Sequence, residues 1–134
     1  MTRETERRLL QAAVALGCLS PLWFGLRGVI AGPAMLAGVE PGQVPPDLLS
    51  HYRYLSGLFV GLGLVLLTCL PAIERQTMRF RCVGAAIVLG GLARALGLAL
   101  GDAPSVGHLI ALGAELGVVP LLMLWQARVA RRFA

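Results

Sequence analysis

Four uninterrupted apolar runs decide what this chain can become. They cover residues 9–30, 48–70, 82–100 and 106–125. Each is about 19–23 residues long, roughly 30 Å as helix, which is the thickness of a bilayer's hydrocarbon core. Membrane-spanning β-strands would run about ten residues with alternating polarity, and no such alternation is present. Hydrophobic residues make up 57% of the chain and charged residues 14%; soluble domains carry about 45–50% and about 25%. With 134 residues the chain has too little interior to hide that much apolar surface from water. The expected fold is all-α: an up-down, four-helix transmembrane bundle forming one integral membrane domain over residues 1–134.

Charge sets the expected orientation. The net charge is +5, and all 12 basic residues are Arg. Arg3, Arg7 and Arg8 precede the first run, Arg75, Arg79 and Arg81 lie between the second and third, and Arg128, Arg131 and Arg132 follow the fourth. Only Arg27 and Arg53 fall on the other side, and Arg94 lies within a run. Positive residues stay in the cytoplasm during insertion, so both termini are expected there. The basic residues form no stripe interleaved with aromatics, so no nucleic-acid partner is expected. The apolar run continues well past Cys18, and Ala15 is a poor residue three before a lipoprotein cysteine, so cleavage there is not expected. Cys18, Cys69 and Cys82 form no CxxC pair and read as small apolar packing residues.

Glycines read as packing surfaces, because close approach of small residues holds helices together in lipid. The first helix carries Gly17, Pro21, Gly25, Gly28 and Gly32 at steps of three or four, which share one face. The residues expected to line seams on the other helices are Gly57, Gly61, Gly90, Gly97, Gly101, Gly113 and Gly117. Pro21 and Pro120 each free a carbonyl four residues earlier. The kink at Pro120 is expected to open space beside Glu115. Residues 101–105 form a tight turn that makes the third and fourth helices antiparallel neighbours.

Charges inside membrane segments are costly and face a partner or a cavity. Arg94 lies on the stripe Gly90–Arg94–Gly97–Gly101, and counting outward from the turn near Ala103 places it level with Leu112. Glu115 lies less than a turn deeper, so an Arg94–Glu115 pair is expected on the bundle interior, toward its outer half. His51, Arg53 and His108 are expected at the outer mouth. Catalysis needs a nucleophile–base pair, a metal cluster or a cofactor motif. The serines have no motif around them, and two histidines make a poor metal site. No catalytic residue, metal or cofactor is expected.

Three groups of residues together resemble a known family. His51-Tyr52-Arg53-Tyr54-Leu55-Ser56-Gly57 opens the second helix, and Leu89-Gly90-Gly91-Leu92-Ala93-Arg94 lies in the third. Glu115 is followed by Pro120 and then Leu124-Trp125-Gln126 with a basic tail. In order and spacing these resemble the bacterial small membrane proteins grouped as domain of unknown function 4345, from Leu9 to Arg132. The resemblance implies four transmembrane helices and no established activity. The expected role is that of a non-catalytic structural or accessory subunit, as a homo-oligomer or within a larger membrane complex, with lipid and other membrane chains as partners. The alternative is a small-molecule or lipid binding or transport protein with a polar pocket around Arg94, Glu115 and His108.

Overall fold

The computed structural model describes residues 2–40 and 42–134 and is helical, with no strand among the described residues. Helix α1 spans Arg3–Ala31 and runs into a 3-10 turn, Gly32–Met35. Helix α2 spans Pro46–Cys69 and ends in a second 3-10 turn, Leu70–Arg75; α3 follows at Thr77–Ala99. The last stretch is α4, Val106–Gly113, a π-helical turn, Ala114–Val118, and α5, Val119–Phe133. The stretches Arg3–Met35, Pro46–Arg75, Thr77–Ala99 and Val106–Phe133 are each long and apolar enough to cross a membrane. All four outrun the apolar segments seen in the sequence, three of them by a turn or more at an arginine-rich end. α1 begins six residues before Leu9, α3 five before Cys82, and α5 continues eight past Trp125. The added turns are arginine-rich, and helix propensity there is high.

The chain divides into two compact units, Met1–Ala12 with Cys69–Ala134, and Ala13–Thr68. In the second of these, α1 packs on α2 through a stripe of small residues. Pro21, Gly25, Gly28 and Gly32 are buried at steps of three or four. A Cβ at Gly25 would lie 2.7 Å from Val60 Cγ2 and 3.0 Å from the Ser56 carbonyl oxygen; one at Gly28 would strike the Ser56 side chain. Facing them, α2 presents Leu49, Tyr52, Ser56, Val60 and Gly63. Gly57 and Gly61, the expected seam, lie one residue off that face, which is about 100° around a helix. A Cβ at either would meet nothing within 4 Å. Gly17 is likewise open, although Gly25, Gly28 and Gly32 lie where the stripe predicts.

The other unit is built on α3, with the α4–α5 stretch antiparallel beside it. The seam on α3 runs through Phe80, Val83, Gly84 and Gly91, all buried. Met123 fills the space over Gly84, and Glu115 with Leu116 covers Gly91. The expected positions differ again. A Cβ at Gly90, Gly113 or Gly117 would meet nothing within 4 Å. Gly97 and Gly101 close the end of α3. Asp102 N–H donates to the Gly97 carbonyl at 3.0 Å and Gly101 N–H to that of Leu98 at 3.2 Å. Gly101 takes φ +105°, the left-handed residue that this helix ending requires. The Asp102 side chain folds back over Gly97.

The break between α2 and α3 leaves backbone carbonyls without helical donors, because Pro71 has no N–H and Ala72 is non-helical at φ −137°. Two glutamine side chains supply the donors. Gln11 Nε2 donates to the Leu70 carbonyl at 2.6 Å, and Gln126 Nε2 to the Ile73 carbonyl at 2.9 Å. Gln126 is fully buried and also donates to Thr77 Oγ1 at 3.0 Å.

Candidate functional site

Arg94 and Glu115 meet across α3 and the π-helical turn. Arg94 Nε donates to Glu115 Oε2 and Arg94 Nη2 to Glu115 Oε1, both at 3.1 Å. This two-pronged geometry matches the planar guanidinium to the carboxylate and is the strong form of the pair. Both side chains are partly shielded, at 34% and 15% exposure.

Local sequence explains why the two can meet. Gly91 precedes Arg94 by three residues and shares its face. The lack of a side chain there lets the Glu115 backbone close in, since a Cβ on Gly91 would lie 2.9 Å from Glu115 Cβ. On the other strand of the pair, Pro120 has no N–H to return to the Leu116 carbonyl. The chain responds by widening the turn. Val119 N–H, five residues on, donates to the Ala114 carbonyl, which is a π-helical bond. Glu115 sits inside this widened turn, where side chains are re-aimed relative to an ideal α-helix.

Of the other polar residues expected here, His108 lies in the same compact unit as the pair, and His51 and Arg53 belong to the other. The His108 ring nitrogen Nδ1 pairs with Ser105 Oγ at 2.9 Å, within its own first turn of α4. Among the described residues His108 makes no ion pair with Glu115. Arg53 and His51 are exposed on α2, in the other compact unit. Arg53 lies near the Gly32 turn, and the His51 ring stacks at 6.4 Å from that of Tyr54. Among the described residues no three His, Cys, Asp or Glu side chains converge as metal ligands would.

A second polar cluster was not anticipated. Glu6 is buried, with its side chain 3% exposed, and it receives Arg128 Nε at 3.0 Å and Arg132 Nη1. This joins the start of α1 to the end of α5 within one compact unit. Beside it, Arg7 faces Glu74 at 3.6 Å and Glu4 at 2.7 Å. The guanidinium groups of Arg3 and Arg7 lie 5.4 and 5.6 Å from the centre of the Phe133 ring. The sequence signal was available: Arg128 and Arg132 are four apart and share a face of α5. Read only as markers of orientation, these arginines gave no hint that a buried carboxylate gathers them.

Neither a curated protein nor a solved structure matches the chain. A family model does, over residues 9–126, and it takes in α2, α3, Arg94, Glu115 and Gln126. With that match covering most of its length, the chain belongs to the family described as a domain of unknown function (DUF4345).

Proposed function

We propose that the protein is a multi-pass protein of a bacterial inner membrane, with both termini cytoplasmic, that serves as a non-catalytic structural or accessory subunit. It works either as a homo-oligomer or within a larger membrane complex. The observation that carries this reading is the outward face of the long helices. Trp23, Ile30, Leu58, Leu89, Ile110 and Leu124 are all more than half exposed. Such a surface is an aggregation hazard in water and an ordinary one in lipid. Interspersed with these side chains are Gly57, Gly61, Gly90, Gly113 and Gly117, over which the chain places nothing. Small residues left open on spanning helices suit close approach by a helix of another chain.

The Arg94–Glu115 pair supports a structural role, since each charge is answered by the other. The test is purification in a mild detergent followed by light scattering and mass analysis of whatever co-purifies. An assembly of defined stoichiometry that is lost in Gly57→Leu or Gly117→Leu supports the reading. A monomer with no protein partner, insensitive to both substitutions, overturns it.

Two observations favour the alternative, a ligand pocket around Arg94, Glu115 and His108. A third of the Arg94 side chain remains exposed while it holds Glu115, and the π-helical turn beside it is a form that recurs at functional sites. A small molecule or lipid that co-purifies with the protein and is lost from a well-folded Arg94→Leu/Glu115→Leu variant would move the assignment to this reading.

A further inference from the structure

Arg94 uses two of its three guanidinium nitrogens on Glu115. The third, Nη1, has no hydrogen-bond partner among the described residues, and protein does not enclose it. Its place on α3 explains this. At about 100° per residue, Arg94 falls between Gly91 and Gly90 around the helix axis. Glu115 and Leu116 cover the Gly91 side, while a Cβ at Gly90 would meet nothing within 4 Å. The guanidinium is closed on one edge and open on the other. Ala86, Leu89 and Ala93 continue the open side, and all three are exposed. In a spanning helix, a donor left open toward lipid is costly, so a group that carries an acceptor belongs over this edge.

We infer that a second copy of this chain covers the edge, with its own Glu115 accepting from Arg94 Nη1. The inference rests on the subunit reading above and names the partner for it. Charge complementarity is the argument. The arginine asymmetry gives every copy the same orientation in the membrane, so a neighbour presents the same residues at the same depth. Arg94 and Glu115 share one depth because they touch. A copy alongside therefore brings a carboxylate level with Arg94. Each pair is neutral, so two of them meet without net repulsion. Around a two-fold axis along the membrane normal they lie head to tail, each arginine between two glutamates. Glu115 has the capacity, since a carboxylate offers about four acceptor sites and Arg94 of its own copy takes two. Gly90 and Ala93 let the second backbone approach closely.

The test uses the purified full chain in a mild detergent, with mass read by light scattering across a dilution series. A dimer is expected. Arg94→Lys keeps a cation for Glu115 but lacks the fork's spare nitrogen. Its dimer is expected to dissociate about tenfold more readily, the scale of one charge-assisted hydrogen bond. Gly90→Leu is expected to be a monomer with unchanged helical content. In a third arm, the charge-swapped Arg94→Glu/Glu115→Arg chain is coexpressed with the wild-type chain under a different tag. Each kind keeps its internal pair, but a mixed dimer sets arginine against arginine and glutamate against glutamate. Mixed pairs are expected several-fold below the random share. Where the swapped chain folds poorly, the first two variants carry the test. A dimer insensitive to both Gly90→Leu and Arg94→Lys, or mixed pairs at the random share, overturns the inference and leaves a homo-oligomer built on another face. One copy bound to a different protein overturns it in favour of a subunit of a larger complex. A monomer with no protein partner defeats the subunit reading itself.

Discussion

Gly91 lies directly against Glu115: a Cβ on the glycine would stand 2.9 Å from that of the glutamate. The contact brings α3 and the π-helical turn close enough for Arg94, one turn further on, to reach both carboxylate oxygens. Gly91→Leu is therefore expected to force the two elements apart and strain the pair, at a cost of about 1–3 kcal/mol or more. Gly90→Leu, one residue away with open space above it, should change the stability of the isolated chain little. Thermal unfolding in detergent separates the two. Equal losses would mean that the seam has been placed on the wrong face.

The pair itself makes an asymmetric prediction. Arg94→Leu or Glu115→Leu alone leaves one charge without its partner in an apolar stretch, and such removals cost about 3–5 kcal/mol in buried settings. Partial exposure of Arg94 brings its own case toward the lower end. The double Leu variant should recover most of the loss, because neither charge then needs an answer. A double-mutant cycle on unfolding free energy reads the difference. Strictly additive losses would show that the two residues do not depend on each other.

The arginine distribution predicts orientation. A reporter that is active only outside the cytoplasm, fused after Ala134, should be silent, and the same reporter placed in the segment between α1 and α2 should be active. The reverse pattern would put Arg27 and Arg53 inside and leave the asymmetry of nine arginines to two unexplained.

These residues also show what the sequence makes legible. Length and apolarity were enough for the four long helices, because uninterrupted apolar runs of about 20 residues are too long for strands and match buried helix. Arg94 and Glu115 were legible because a charge in an apolar run stands out, and a short turn fixes the register of the elements on either side. Outside the α1 stripe of Gly25, Gly28 and Gly32, the glycines were not. Gly57 and Gly61, like Gly25 and Gly28, repeat every three or four residues, and a repeat marks a face without saying what covers it. Gly90 and Gly91 are neighbours in sequence, yet only Gly91 meets another element. Gly97 and Gly101 have the spacing of a seam and serve to end a helix. Gln11 gave no signal and Gln126 gave none of its role, since the carbonyls that they satisfy exist only once the break at Pro71 has formed.

Glu6 supplies the last prediction. It is the buried member of a three-residue cluster whose arginines remain accessible: the side chains of Arg128 and Arg132 are 61% and 41% exposed, against 3% for Glu6. The consequences of removing either side therefore differ. In Glu6→Leu the two arginines swing out and are solvated, and the leucine occupies a site already enclosed by protein, so the expected cost is about 1–2 kcal/mol. In Arg128→Leu/Arg132→Leu the carboxylate stays buried with neither cation, which is the costly case at about 3–5 kcal/mol. Adding Glu6→Leu to that double variant should then restore stability, although it removes one more polar group. Unfolding midpoints of the three variants, measured in one detergent, decide the matter. A triple variant less stable than the double would mean that the clasp between the start of α1 and the end of α5 depends on the packing of the Glu6 stem, and its charge would have no part in holding them together.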